Sequence, residues 1–173
     1  TYDVNCGCSG GEANLTYCGA EGSPGTGSDY ITYVGMAGVE NSSGQTNYSD
    51  FRNVIIPLEH NMEYTLTARF NHAFDIDRFH AWADWNRDGV FGANEKITLS
   101  VPDQNSTSTG TVRVPPGTLE GATTLRVRGV YSTSHDNPCG SVFGEVEDYT
   151  IRVECGAGCA LPISWGDFNA VAL

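Results

Sequence analysis

Lysine is all but missing from this chain: Lys96 stands alone, and nine basic residues face twenty-one acidic ones, for a net charge of -12. A surface of that sign repels polyanions, which excludes nucleic acid as a partner. No apolar run is long enough to cross a bilayer as a helix, and membrane insertion is not expected. Catalytic signatures are absent as well. His60, His72, His80 and His135 show no H-E-x-x-H spacing, no serine sits in a G-x-S-x-G elbow, and there is no phosphate loop. The reading is that the chain is not an enzyme. It begins at Thr1, with neither an initiator methionine nor a charged leader, as expected of a processed, exported product.

Helical periodicity is also lacking. No window sustains an apolar stripe, and Pro115-Pro116-Gly117 breaks the segment where one could have formed. What is present instead is strand after strand, at 30–36, 53–58, 63–70, 78–84, 96–100, 108–114, 124–132 and 147–154, each rich in Val, Ile, Thr or aromatics and bounded by turn residues. Alternation assigns two faces: Tyr64, Leu66, Ala68 and Phe70 oppose Thr65, Thr67 and Arg69, while Leu125, Val127 and Gly129 oppose Arg126 and Arg128. One face of each is expected to be core and the other wet. The class is therefore all-β, a two-sheet antiparallel β-sandwich of jelly-roll or Ig-like type. It would occupy 30–154, between a cysteine-bearing lead-in at 1–29 and a cysteine and apolar tail at 155–173.

One stretch dictates chemistry by spacing. Residues 84–95 fit the twelve-residue calcium loop, in which Asp84, Asn86 and Asp88 supply side-chain oxygens, Val90 its carbonyl and Glu95 a closing carboxylate, with Gly89 at the sharp turn. Both flanks alternate like strands, so the expected cofactor is Ca2+ in a loop bridging two strands. The bland alternative is a metal-free hairpin, since Asn, Asp and Gly make turns unaided. A turn, however, needs no closing glutamate.

Cys6, Cys8, Cys18, Cys139, Cys155 and Cys159 form an even set gathered towards the two ends of the sequence. In an exported chain that pattern reads as disulfides rather than zinc or iron–sulfur ligation. Six cysteines leave the connectivity open. The preferred pairing is Cys18 with Cys139, and Cys6 and Cys8 with Cys155 and Cys159.

Near the carboxyl end stands Gly144-Glu145-Val146-Glu147-Asp148-Tyr149. With Tyr17-Cys18, Asp29-Tyr30-Ile31, Tyr48-Ser49-Asp50-Phe51, the string from Trp82 to Gly89, Leu125-Arg126-Val127-Arg128 and Pro138-Cys139-Gly140, it resembles the GEVED domain of secreted bacterial proteins. The resemblance implies a β-sandwich accessory module of exported peptidases, glycoside hydrolases or adhesins, mostly from marine and Bacteroidetes-type bacteria, and so an extracellular or cell-surface location. The cysteine pairs at 6–8 and 155–159 lie outside that pattern. Ala160 to Phe168 resembles the Leu-Pro-rich strand that often precedes a type IX secretion sorting domain.

Three further expectations concern partners. Glu145, Glu147 and Asp148 crowd three carboxylates together; either Glu147 and Asp148 complete an ion shell, or they pair with Arg126, Arg128 or Arg152 on neighbouring strands. As a glycosidase pair they read poorly, because metal ligands make weak proton donors. Trp85, between two loop ligands, is the aromatic expected to be exposed and able to stack on an extracellular polysaccharide. Finally, Leu161, Ile163, Trp165, Phe168, Val171 and Leu173 form an apolar tail that packs either on its own sandwich or as an added strand in a neighbouring subunit, which would build filaments. The combined expectation is a calcium-binding module for adhesion or assembly, with a carbohydrate-binding accessory module as the alternative.

Overall fold

The structure is a computed structural model that describes residues 15–23, 30–131 and 136–154. Cys6, Cys8, Cys155, Cys159 and the tail expected to add as a strand fall outside the described residues. Among the described residues eleven strands run in chain order: β1 (Ala20–Gly22), β2 (Ile31–Met36), β3 (Val39–Ser42), β4 (Tyr48–Glu59), β5 (Glu63–Phe70), β6 (Asp77–Ala83), β7 (Lys96–Ile97), β8 (Thr107–Arg113), β9 (Gly121–Tyr131), β10 (Gly140–Val142) and β11 (Gly144–Glu154). The one helical element among the described residues is a 3-10 turn at Ala93–Glu95.

The strands form an all-β sandwich. A four-stranded sheet of order β3-β2-β5-β8 faces a five-stranded sheet of order β4-β11-β9-β6-β7. Alternation drives this arrangement: on β5, Leu66, Ala68 and Phe70 are buried between the layers while Glu63 and Arg69 are exposed. From the other layer, Leu125, Val127, Tyr149, Ile151 and Val153 meet them. Gly129 belongs to the same inner row for lack of room. A Cβ there would lie 2.6 Å from Cε1 of Phe70, whose ring stacks on Phe79 with centroids 4.0 Å apart.

Two expectations need correction. The larger sheet is mixed rather than antiparallel, because β4 runs parallel to β11; these strands are joined through most of the chain, and a hairpin cannot set their direction. The second correction bears on the site. Arg126 and Arg128, expected on a wet face, are 2% and 0% exposed. Their face is covered by the segment leading into β1 and by the parallel ribbon of β1 and β10, closed by a disulfide between Cys18 and Cys139 with Cα atoms 5.6 Å apart. The large sheet is therefore buried on both sides along β9 and β11.

Candidate functional site

Asp84 leaves the end of β6 with its amide bonded to the Thr124 carbonyl at 3.1 Å and its own carbonyl accepting from the Thr123 hydroxyl. Its carboxylate turns into the loop that follows. Oδ1 accepts from the Asp88 amide at 3.2 Å, and Oδ2 from the Gly89 amide at 3.0 Å and the Tyr17 hydroxyl at 2.8 Å. Gly89 has φ 80°, a left-handed turn that favours glycine. At the far end, the 3-10 turn aims Glu95 back: Oε1 accepts from the Asn86 amide at 3.2 Å and Oε2 from the Gly92 amide at 2.8 Å. Asp84 and Glu95, 0% and 1% exposed, thus converge on one loop from its two ends.

The remaining expected ligands stand further out. Asn86, Asp88 and Val90 are exposed. Asn86 Oδ1 takes the Asp88 amide at 2.9 Å, Asp88 Oδ1 takes the Val90 amide at 2.8 Å, and the Asn86 side-chain amide donates to Asp88 Oδ2 at 3.0 Å. Among the described residues no three His, Cys, Asp or Glu side chains are drawn together closely enough to hold a metal. The loop is folded on its own amides, with its oxygens of the hard type that a divalent alkaline-earth ion takes.

Trp85 is not the exposed ring expected between the ligands. It is 8% exposed and belongs to the inter-sheet core. The alternation of β6 continues one residue past the strand, so that Trp85 follows Ala81 and Ala83 inward while Asp84 points the other way.

The acids of β11 split between the two faces of the sheet. Register places Asp148 opposite Arg126, and Glu147 opposite Val127. Asp148 receives Nε and Nη2 of Arg126 at 2.8 and 2.7 Å, both side chains almost fully buried. Of the two readings for Asp148, pairing is the one realised. The same guanidinium donates to the carbonyls of Cys18 and Pro138, each at 2.9 Å, and lies 4.9 Å from the Phe91 ring centroid. Tyr48 donates to Asp148 at 3.0 Å, and burial, with the nearby carboxylate, pushes its hydroxyl up to about 12. Arg128, pushed down to about 10 by burial and then by Arg126, is held by the carbonyls of Cys139 and Gly140 at 3.1 and 2.7 Å.

Glu145 and Glu147 point between the layers, and both are 0% exposed. Glu145 accepts from the Ile31 amide at 2.8 Å, the Thr46 amide at 3.0 Å and the Thr46 hydroxyl at 2.7 Å. It ties β2 of one sheet to β11 of the other, a role that sequence reasoning did not assign. Burial raises its carboxyl while those donors lower it. Glu147 Oε2 accepts from the Tyr149 hydroxyl at 2.6 Å, and Oε1 has no hydrogen-bond partner among the described residues. Burial first, and the neighbouring Glu145 in addition, push Glu147 up to about 7. Asp148 is taken up by Arg126 and Tyr48 on one face of β11, and Glu147 by Tyr149 on the other, so the two acids expected to share an ion shell point to opposite sides of the sheet.

An aromatic row lies at the surface. Phe74, Tyr131 and Phe143 are 48%, 40% and 44% exposed, with centroid separations of 6.4 Å and 5.5 Å along the row. Sequence alone did not single it out, because its members come from three separate turns and strand ends.

Residues 78–152 match the family model described as the GEVED domain. That segment is similar to the GEVED family. The matched segment contains the 84–95 loop, the buried arginines of β9 and the acids of β11; Tyr17, Cys18 and Tyr48 lie outside it. No curated protein matches the chain. Among solved structures, the M1 domain from titin is similar at a TM-score of 0.32 and 8% identity, with 77% of this chain and 96% of that chain covered. A likeness that slight carries no argument about function.

Proposed function

We propose that this GEVED-like domain is a non-catalytic, calcium-stabilised β-sandwich module of a secreted protein, working at the cell surface in adhesion or assembly. The observation that carries the reading is the convergence of the buried Asp84 and Glu95 carboxylates on one loop between β6 and β7. Asp84, Asn86, Asp88, the Val90 carbonyl and Glu95 would hold the ion, and the hard oxygen donors suit Ca2+ over softer metals. Bound there, the cation would neutralise carboxylates that the chain otherwise keeps apart and so stabilise the fold by mass action.

Two further features support the reading. The Cys18–Cys139 disulfide fits an oxidising, extracellular compartment. The acids of β11 are engaged in holding the fold, Asp148 by Arg126 and Glu145 by two amides and a hydroxyl, which leaves no solvated acid pair among them for hydrolysis. Assembly into filaments would use the apolar segment 161–173 as an added strand in a neighbouring copy.

The second reading, a carbohydrate-binding accessory module, is favoured by the exposed Phe74, Tyr131 and Phe143 rather than by Trp85. The deciding experiment for the main reading is differential scanning calorimetry with calcium and with chelator. Chelation is expected to lower the melting temperature by several degrees. An identical transition in both conditions would remove the calcium assignment.

A further inference from the structure

The first carboxylate of the loop is held from outside the loop. Tyr17, 67 residues upstream, donates to Asp84 Oδ2 at 2.8 Å, and the Gly89 amide donates to the same oxygen at 3.0 Å. Oδ1 takes the longer bond, 3.2 Å from the Asp88 amide. Two short donors on one oxygen fix the rotation of the carboxylate and leave Oδ1 the more available acceptor.

Tyr17 is itself anchored on two sides. Its ring stacks on Phe91, a member of the same loop, with centroids 4.8 Å apart. The next residue, Cys18, is bonded to Cys139, and its carbonyl accepts from Arg126, whose guanidinium lies against Phe91. A closed circuit of contacts therefore runs from the disulfide through Tyr17 to Asp84, and back through Phe91 and Arg126. Its upstream half lies outside the segment that matches the GEVED family model.

We infer that Tyr17 is a positioning residue for the cation loop, and that through it the Cys18–Cys139 disulfide strengthens the loop's binding of calcium. The inference rests on the calcium reading given above. A carboxylate already oriented when the ion arrives loses less freedom on binding, and an anchor that orients it improves affinity without touching the ion. Coupling of this kind is reciprocal: calcium in the loop must in turn steady the segment that carries the disulfide.

The test is isothermal calorimetry of the whole chain with calcium chloride, well below the melting transition. It compares the natural sequence, Tyr17→Phe, and the double change Cys18→Ser with Cys139→Ser. Tyr17→Phe keeps the stacked ring and removes one hydrogen bond to a charged group, so calcium binding is expected to weaken about tenfold; the double serine variant is expected to weaken it at least as much. A second measurement follows alkylation of Cys18 and Cys139 under dithiothreitol. Calcium should slow it in the natural protein and slow it less in Tyr17→Phe, which a purely structural tyrosine would not produce. If the natural chain binds calcium and Tyr17→Phe binds it equally or more tightly, the phenol is idle or a competitor and the inference falls while the calcium reading stands. If the natural chain binds no calcium, both fall.

Discussion

Tyr149 donates to Glu147 at 2.6 Å on the inner face of β11, and the other oxygen of Glu147 has no hydrogen-bond partner among the described residues. A buried acid held in this way is pushed up to about 7, well above the ordinary carboxylate range, chiefly by burial. Between that ordinary range and the raised value the folded chain binds a proton that the unfolded chain has released, so stability contributed by Glu147 is full below the unfolded value and falls as pH rises towards 7. Glu147→Gln removes the charge and keeps the shape. We expect the variant to be more stable than the natural chain at pH 8, by up to about 3 kcal/mol, with the difference vanishing near pH 4. Urea melts across that range at fixed calcium measure it. Asp50 and Asp103, whose carboxyls are lowered by hydrogen bonds, act with the opposite sign and at lower pH, so they do not mask the effect.

Asp88 separates holding an ion from holding the fold. Its side chain is exposed and bonds only locally, to the Asn86 side-chain amide and the Val90 amide. Asp88→Ala is therefore expected to leave the melting temperature in chelator within about a degree or two of the natural value and to abolish most of the upward shift produced by calcium. A variant that responds fully to calcium would place the ion elsewhere.

Trp85 and the exposed aromatic row should behave in opposite ways. Trp85→Ala opens a cavity in the inter-sheet core and is expected to cost about 3–5 kcal/mol in urea unfolding. Replacing Phe74 and Phe143 together by Ala should change stability by less than about 1 kcal/mol, since both side chains are nearly half exposed. If the domain is retained on a polysaccharide column, the double variant should lose that retention.

The Arg126–Asp148 pair is suited to a double-mutant cycle. Asp148→Ala leaves a guanidinium buried without its carboxylate and is expected to cost about 3–5 kcal/mol. Arg126→Met combined with Asp148→Leu removes both charges and should cost less than the sum of the two single changes. Additivity in the cycle would mean that the two side chains act independently, against the bidentate geometry.

How much of this was legible in the sequence depended on range. The alternation on β5 is a local pattern and led to the arrangement found, while the spacing in 84–95 located a loop on which the Asp84 and Glu95 carboxylates turn back. Trp85 was misjudged because loop spacing was allowed to overrule an alternation that continued past β6. Arg126 and Arg128 looked like wet-face residues because the ribbon covering them consists of two three-residue strands, too short to give any periodic signal. The first half of β4 was missed since Asp50 and Arg52, an ion pair on its exposed side, break the apolar pattern. The bond from Tyr17 to Asp84 spans 67 residues and has no local signature at all.

The placement of β11 has a mechanical consequence. It is flanked along most of its length by β4 on one side and β9 on the other, and it is the last described strand. Tension applied beyond Glu154 would load both ladders in shear, so that many hydrogen bonds must fail together rather than one after another. Glu145, clasped by donors from across the sandwich, would resist at the opposite end.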